Sequence, residues 1–382
     1  MRVGAGISSD VSASEAADQA ARAAAERMGG GDADLAVLFA SGEHLSEPEA
    51  LLDGVRARLS PVALIGCGAG GVLADGREHE GGSAVAVWAA TFDGHGRAHA
   101  FHATAGAEEV ELAGGPASGV IMLADPYSFP TDAALERIAL TAPGTPVVGA
   151  LASGRTEAGA ALFYEDQVRS EGAVGVTLEG VEMLPCVSQG AAPVGREMTI
   201  TAAHGNVIQE LAGRPALQAV EQAIAELDLH ERALVATGLL IGIVIDAGRP
   251  EYEQGDFLVR GVLGADPDTG AVAVGAPVTP GQVVRLHARD ARSADEDLRR
   301  ELRLRAAALG GGVPAGALVF SCNGRGRAMF GVPDHDAALV ARELGGAPAA
   351  GLFAAGEIGP VGGRSFLHGF TATLAVFAGE QA

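Results

Sequence analysis

The sequence predicts an α/β protein: two related α/β domains with mixed sheets covered by helices, internally duplicated. Three observations predict it. Short runs of Val, Leu and Ile alternate with Ala-rich helical stretches along the chain, the pattern of helices layered on sheets. Apolar residues make up 48% of the 382 residues, and the mean hydropathy is +0.23, ample for a large core. Finally, the opening of the chain matches residues 281 positions further on without a gap.

Taken in order, Val3 to Ile7 reads as a short strand. Ser12 or Ser14 caps an Ala-rich helix to about Met28, which Gly29-Gly30-Gly31 ends. Leu35 to Phe39 (LAVLF) is a buried strand, Glu47 to Leu59 a helix, and Val62 to Ile65 a strand running into GCGAGG. Ser83 to Phe92 is a longer strand. In the repeat, Val3 faces Val284, Ser12-Ala13 faces Ser293-Ala294, Gly29 to Gly31 faces Gly310 to Gly312, and Phe39 faces Phe320. PVALIG (61–66) then corresponds to PAAGLF (348–353), and SAVAVWAA (83–90) to FTATLAVF (370–377). A weaker third copy runs from GVIML (119–123) through a helix at Asp132 to Leu140 to TPVVGALASG (145–154). The break between halves falls within 205–234, giving domains 1–213 and 214–382, with a helix from about Ala216 to Leu227.

The formal net charge of −22 argues against a nucleic-acid partner, because the field of the whole chain repels a phosphate backbone. All 26 basic residues are Arg, so chemistry that needs Lys is excluded: a P-loop, or a pyridoxal Schiff base. Cys67, Cys186 and Cys322 are widely spaced and odd in number, which fits free thiols in a reducing compartment. The N-terminus MRVGAGISSD shows no basic region followed by an apolar one, so no secretion signal is expected. The longest apolar run, Ala233 to Ile245, is short of the roughly 20 residues of a spanning helix and reads as buried strand. A cytoplasmic protein without membrane attachment is expected.

The densest chemical feature is SCNGRGRAMFG (321–331), placed where α/β sheets gather ligands, beyond a strand's carboxyl end. Backbone N–H groups of Asn323, Gly324, Arg325 and Gly326 could form an anion nest, with Arg325 or Arg327 pairing a carboxylate or phosphate. The plainer reading is a tight turn with solvated arginines. In GLFAAGEIGPVGG (351–363), Glu357 stands among small and apolar residues, so it either lines a pocket beside Gly356 and Gly359 or pairs with an arginine of the 321–331 loop. His368 and Thr371 open the last strand, and His368 could equally be a core histidine. Cys322, His368 and Glu357 contain the residue types of thiol catalysis, although Cys322 reads as well as a buried small residue.

Other features read more plainly. Ser41-Gly42-Glu43-His44 occupies the equivalent place in the first half. GCGAGG resembles a phosphate loop only superficially and reads better as a close-packed turn. His95, His99 and His102 suggest a metal, but they flank a hairpin turn and no metal site is expected. Acid-before-Arg pairs at Asp295–Arg299, Glu296–Arg300 and Glu301–Arg305 mark an exposed helical face.

At SCNGRGRAMFG, GLFAAGEIGP and FLHGFTATLAVF the sequence resembles the C-terminal domain of the FIST family, as does RLHARDA (285–291). LAVLFAS and IGCGAGG resemble the family's N-terminal domain, with GCGAGG in place of a commoner Gly-Cys-Ser/Thr pattern. The resemblance implies a sensory domain for small ligands, amino acids among them, in bacterial signalling proteins; some relatives are implied to carry haem. It therefore points to a stand-alone protein that binds a small, anionic ligand between the loops at 321–327, 356–362 and 366–371 and signals through a partner protein. No cofactor is expected beyond the haem that the resemblance allows. A thiol-dependent enzyme and an adaptor are the alternatives.

Overall fold

The computed structural model describes residues 1–105, 117–246, 248–249, 251–310 and 312–379. The chain forms two compact units. The first comprises Met1–Val187, Leu298–Leu367 and Thr371–Ala382; the second comprises Ser188–Asp297 with His368–Phe370.

The first unit carries three modules of one plan. Each has two parallel strands joined by a helix, then an antiparallel strand, then an edge strand. In the first module the order is Arg2–Ser8, Ala84–Thr91, Leu35–Ser41, Ala63–Ala69, with helix Pro48–Leu59 as the crossover. The second reads Arg97–Ala103, Ala173–Glu179, Gly119–Ala124, Val147–Leu151, with helix Thr131–Thr141. The third reads Met183–Gln189, Thr371–Ala378, Pro314–Cys322, Ala349–Ala354, with helix His335–Glu343. Parallel strands covered on both faces read as unbroken apolar runs, which is why LAVLFA and ALVF carry no alternation. Their inward side chains, including Phe39, Leu123, Phe320, Trp88, Val174 and Phe377, share one core. Phe39 meets Phe320 edge to face, with ring centroids 6.3 Å apart. Outward residues pack instead beneath each module's own helices.

Each sheet is completed by a hairpin from another module. Val72–Ala74 with Arg77–His79, which follow the first module's parallel pair, lie on strand Ala349–Ala354 of the third. Glu357–Val361 and Arg364–His368 join Val147–Leu151 of the second. Leu162–Tyr164 and Gln167–Arg169 join Ala63–Ala69 of the first. One glycine recurs in each parallel pair: Gly66 opposite Leu38, Gly149 opposite Met122, Gly351 opposite Val319. A Cβ at these positions would lie 2.0, 1.8 and 1.8 Å from the carbonyl oxygen of that partner.

The expected repeat holds as strand, helix, strand: Arg2–Ser8, Ala13–Met28 and Leu35–Ser41 against Val283–Arg289, Ala291–Ala308 and Pro314–Cys322. Ser12 caps the first helix and Gly29 ends it at φ 91°. SAVAVWAA and FTATLAVF also correspond in register, because Val87 lies opposite Leu38 and Leu374 opposite Val319. Two details change. Strand Val283–Arg289 pairs with Ala191–His204 and Leu239–Val244, so the counterpart of Arg2–Ser8 is Met183–Gln189. The match of PVALIG with PAAGLF is displaced by two residues, since it is Gly66 and Gly351 that correspond.

The second unit is an antiparallel ring. Ala191–His204, Val283–Arg289, Leu239–Val244, Phe257–Asp266, Ala271–Val274 and Val207–Leu211 follow one another, and the last pairs back to the first. Helix Ala216–Glu226 contributes Ala219, Val220 and Ala223 to a core with Ile200, Ile241 and Leu286. The apolar run at 233–245 is not one strand. Asp228 and Glu231 form a capping box that starts helix Leu229–Thr237, and Gly238 ends it before the strand Leu239–Val244. Among the described residues no helix is long and apolar enough to cross a membrane.

Candidate functional site

The sequence candidates of the first unit gather at the carboxyl end of the third module's parallel strands. Strand Pro314–Cys322 delivers Ser321 to its helix-covered face and Cys322, partly open, to the other. The chain then turns tightly, with Arg325 N–H donating to Cys322 C=O at 2.8 Å and Gly326 at φ 77°. That turn sends the Arg325 side chain inward, where only 2% of the residue is exposed. Its Nε donates to Asp336 Oδ2 at 2.7 Å and its Nη2 to Asp336 Oδ1 at 3.0 Å. Ser321 Oγ donates to the same carboxylate at 2.8 Å, and His335 Nδ1 lies 3.0 Å from it. Burial alone would raise the Asp336 pKa; Arg325, His335 and Ser321 outweigh it and hold the group well below the carboxylate range. Asp336 also sits in the first turn of its helix, where negative charge is favoured.

Glu357 begins strand Glu357–Val361 and is fully buried. Its Oε2 accepts from Thr371 N–H at 3.1 Å and Thr371 Oγ1–H at 2.7 Å. Burial pushes its pKa up to about 8, while Thr371, Arg325 and the neighbouring Cys322 thiol pull it down. Among the described residues neither Glu357 Oε1 nor Arg325 Nη1 has a hydrogen-bond partner. Such orphans are rare in folded proteins and call for an explanation. The module symmetry sharpens the point. Glu357 pairs with Ala150, Val72 with Leu352 and Leu162 with Cys67, each opposite the residue after the recurring glycine. The third hairpin thus places a carboxylate where the other two place buried aliphatic residues. Ser321 likewise replaces Ala40 and Ala124, two residues beyond those facing the glycines. At the next position the modules carry Ser41, Asp125 and Cys322; Asp125 is occupied by Ser128 Oγ–H and by Arg155.

Around Cys322 the rim draws on all three modules. Ser153 Oγ accepts from Gly70 N–H at 2.8 Å and donates to Phe353 C=O. Asn323 N–H donates to Ala354 C=O at 2.8 Å, and its exposed side chain stands beside Gly70.

Several expectations are corrected. Of the two readings of Glu357, pocket lining or pairing with an arginine of this loop, no hydrogen bond makes the second: Arg325 gives its two side-chain bonds to Asp336, which the sequence alone does not mark. Arg327 is exposed, and its backbone N–H donates to the Glu80 carboxylate at 2.8 and 2.9 Å, so the anion held by this loop is the chain's own. Gly326 is pressed against that carboxylate, while Gly324 is only partly buried. Gly356 packs on Leu151, and a Cβ at Gly359 would meet Val187 and Thr373. His368 is buried and groups with the second unit. Residues 66–69 of GCGAGG continue a strand, and Cys67 is sealed in the core, its thiol pKa pushed up by burial. His99 contacts Glu179 and His102 the carbonyl of Glu171, and the described residues contain no cluster suited to a metal.

Glu78 was also missed. It accepts from Ala337 N–H at 2.9 Å, and burial pushes its pKa up to about 7. Its signal was the REHE alternation of a hairpin edge.

His287 is not placed to hold a haem. His287 has a ligand's tautomer, Nδ1–H on Arg285 C=O at 3.0 Å and Nε2 without a hydrogen-bond partner among the described residues. Its ring, however, lies on the Gly242 backbone, where a Cβ would come 3.0 Å from Nε2, and against Phe257.

Two family models match the chain, the FIST N domain over residues 34–214 and the FIST C domain over 216–360. The chain is 44% identical over 389 residues to "Uncharacterized protein Rv0628c" of Mycobacterium tuberculosis (strain ATCC 25618 / H37Rv), covering 99% of this chain and 100% of the relative. It is 42% identical over 397 residues to "Uncharacterized protein Mb0898c" of Mycobacterium bovis, covering 100% of each. With both domains in sequence and full-length relatives at this identity, the chain belongs to the FIST family.

Proposed function

We propose that this protein is a sensory protein that binds a small polar ligand, such as an amino acid, at Cys322, Arg325 and Glu357. FIST domains are associated with sensory signalling, which supports the general role. The observation that carries the ligand class is the pair of buried, unpartnered atoms, Glu357 Oε1 and Arg325 Nη1. An amino acid answers both, its carboxylate accepting from Nη1 and its ammonium facing Oε1. Charge refines the earlier expectation of an anion. Arg325 and Asp336 cancel, and Glu357 is largely neutral below about pH 8, so a zwitterion suits the site better than a net negative ligand. The acidic chain works from the cytoplasm through a protein partner, not a nucleic acid.

Calorimetry with a panel of free amino acids, alongside native mass spectrometry of the purified protein, tests this. Binding that weakens about tenfold in Glu357→Gln is the expected result, a charge-assisted contact being worth roughly 1.5–3 kcal/mol. A protein that retains nothing and takes up no member of the panel would refute the reading.

A further inference from the structure

We propose that Cys322 captures small aldehydes reversibly as hemithioacetals, with Glu357 carrying the proton and Arg325 Nη1 receiving the oxygen. The three groups required by carbonyl addition stand together here: a thiol, an acid–base group and an N–H aimed at developing negative charge. Cys67 and Cys186 are buried, so Cys322 is the one cysteine open to solvent. Behind it the fully buried Glu357 keeps Oε1 unpartnered, and the buried Arg325 keeps Nη1 unpartnered. Gly70 brings its backbone to the rim, where a Cβ would touch Asn323 Oδ1 at 3.5 Å and Ser153 Oγ at 3.7 Å.

The step balances without a co-reactant. With Glu357 in its ionised form, the S–H proton passes to its carboxylate, sulfur bonds to the carbonyl carbon, and the C=O π pair moves onto oxygen facing Arg325 Nη1–H. Glu357 then returns the proton to that oxygen, giving S–CH(OH)–R. Proton transfer is cheap in both directions because the Glu357 pKa, about 8, lies close to that of a thiol. A peroxide fits less well, since its attack needs a thiolate held by net positive charge, and the charge of Arg325 is already balanced by Asp336.

The proposal rests on the same residues as the sensory reading but not on its ligand. Carbon-13 NMR of the full-length protein with [1-13C]acetaldehyde tests it, with N-acetylcysteine as the reference thiol. A tetrahedral-carbon signal should appear at aldehyde concentrations about tenfold or more below those the reference needs, one charge-assisted bond supplying that factor. It should vanish in Cys322→Ser and form more slowly in Glu357→Gln, both checked for folding by circular dichroism. Should Glu357→Gln fail to fold, the pH profile of the wild-type rate, levelling near pH 8, replaces it. A signal that survives Cys322→Ser, or a wild-type affinity equal to the free thiol, overturns the proposal. Calorimetry with the amino-acid panel on the wild-type protein separates the two readings, since the tetrahedral-carbon signal and the amino-acid heat are read independently and either can be lost without the other.

Discussion

Arg325 and Asp336 form a two-point ion pair sealed from solvent, with side-chain exposures of 1% and 0%. Eleven residues apart in sequence, they tie the loop after the third module's strand to the first turn of its helix. Taking two charges out of water is costly, so the pair is worth little beside a well-packed apolar substitute, yet breaking it strands a buried charge.

Arg325→Ala and Asp336→Ala should therefore each lower stability by about 3–5 kcal/mol, with or without ligand. The double variant Arg325→Ala/Asp336→Ala should lose clearly less than the two single losses together. Denaturant melts of the four proteins close the cycle; additive single losses would mean the pair is not coupled.

Glu357 makes stability depend on pH. Its folded pKa, about 8, lies above its ordinary 4.5, so the unfolded chain ionises first as pH rises. The contribution is fully present below about pH 4.5 and declines until about pH 8. Glu78, pushed up to about 7, adds a decline over a narrower range. The melting temperature of Glu357→Gln relative to wild type should rise steadily across that window. A difference independent of pH would show that the carboxyl is not held neutral.

The recurring glycines offer a third check. Gly66→Ala, Gly149→Ala and Gly351→Ala each drive a Cβ into a carbonyl oxygen and should cost about 2–4 kcal/mol. Gly81→Ala, with nothing within 4 Å, should stay within about 0.5 kcal/mol of wild type. Equal melts for all four variants would contradict the close approach.

A fourth concerns charge. At low salt, where attraction to a polyanion is strongest, the purified protein should not shift random duplex DNA in a mobility assay. A shift at micromolar protein would mean that its arginines are clustered on one face.

Much of the fold was legible because the signals were local. Ser12 and Gly29 bound the first helix as caps should, and Phe39 with Phe320 marked the corresponding strand ends. The exchanged hairpins were not legible, because pairing between Val72 and Leu352, 280 positions apart, leaves no mark near either residue. Nor was the ring of the second unit, whose strand Val283–Arg289 keeps the spacing of the repeat while joining a different sheet. In the site, Cys322, Arg325, Glu357 and Thr371 stood out as polar residues in glycine-rich apolar stretches. Asp336 did not, because an acid near a helix start is ordinary unless its burial is known. Ser321 could have been found, since the repeat sets it against Ala40.

The exchange of hairpins bears on how such a molecule could arise. A single module, made alone, carries before its last strand a hairpin that its own sheet does not use and has a sheet edge that another copy's hairpin would complete. Three separate chains could satisfy one another by passing the hairpin round a ring, a head-to-tail interface closed by threefold rotation. In the present protein the first module lends to the third, the third to the second and the second to the first. One polypeptide thus closes on itself the exchange that three separate copies would have to share, and of its three equivalent corners only one carries the glutamate, the serine and the cysteine.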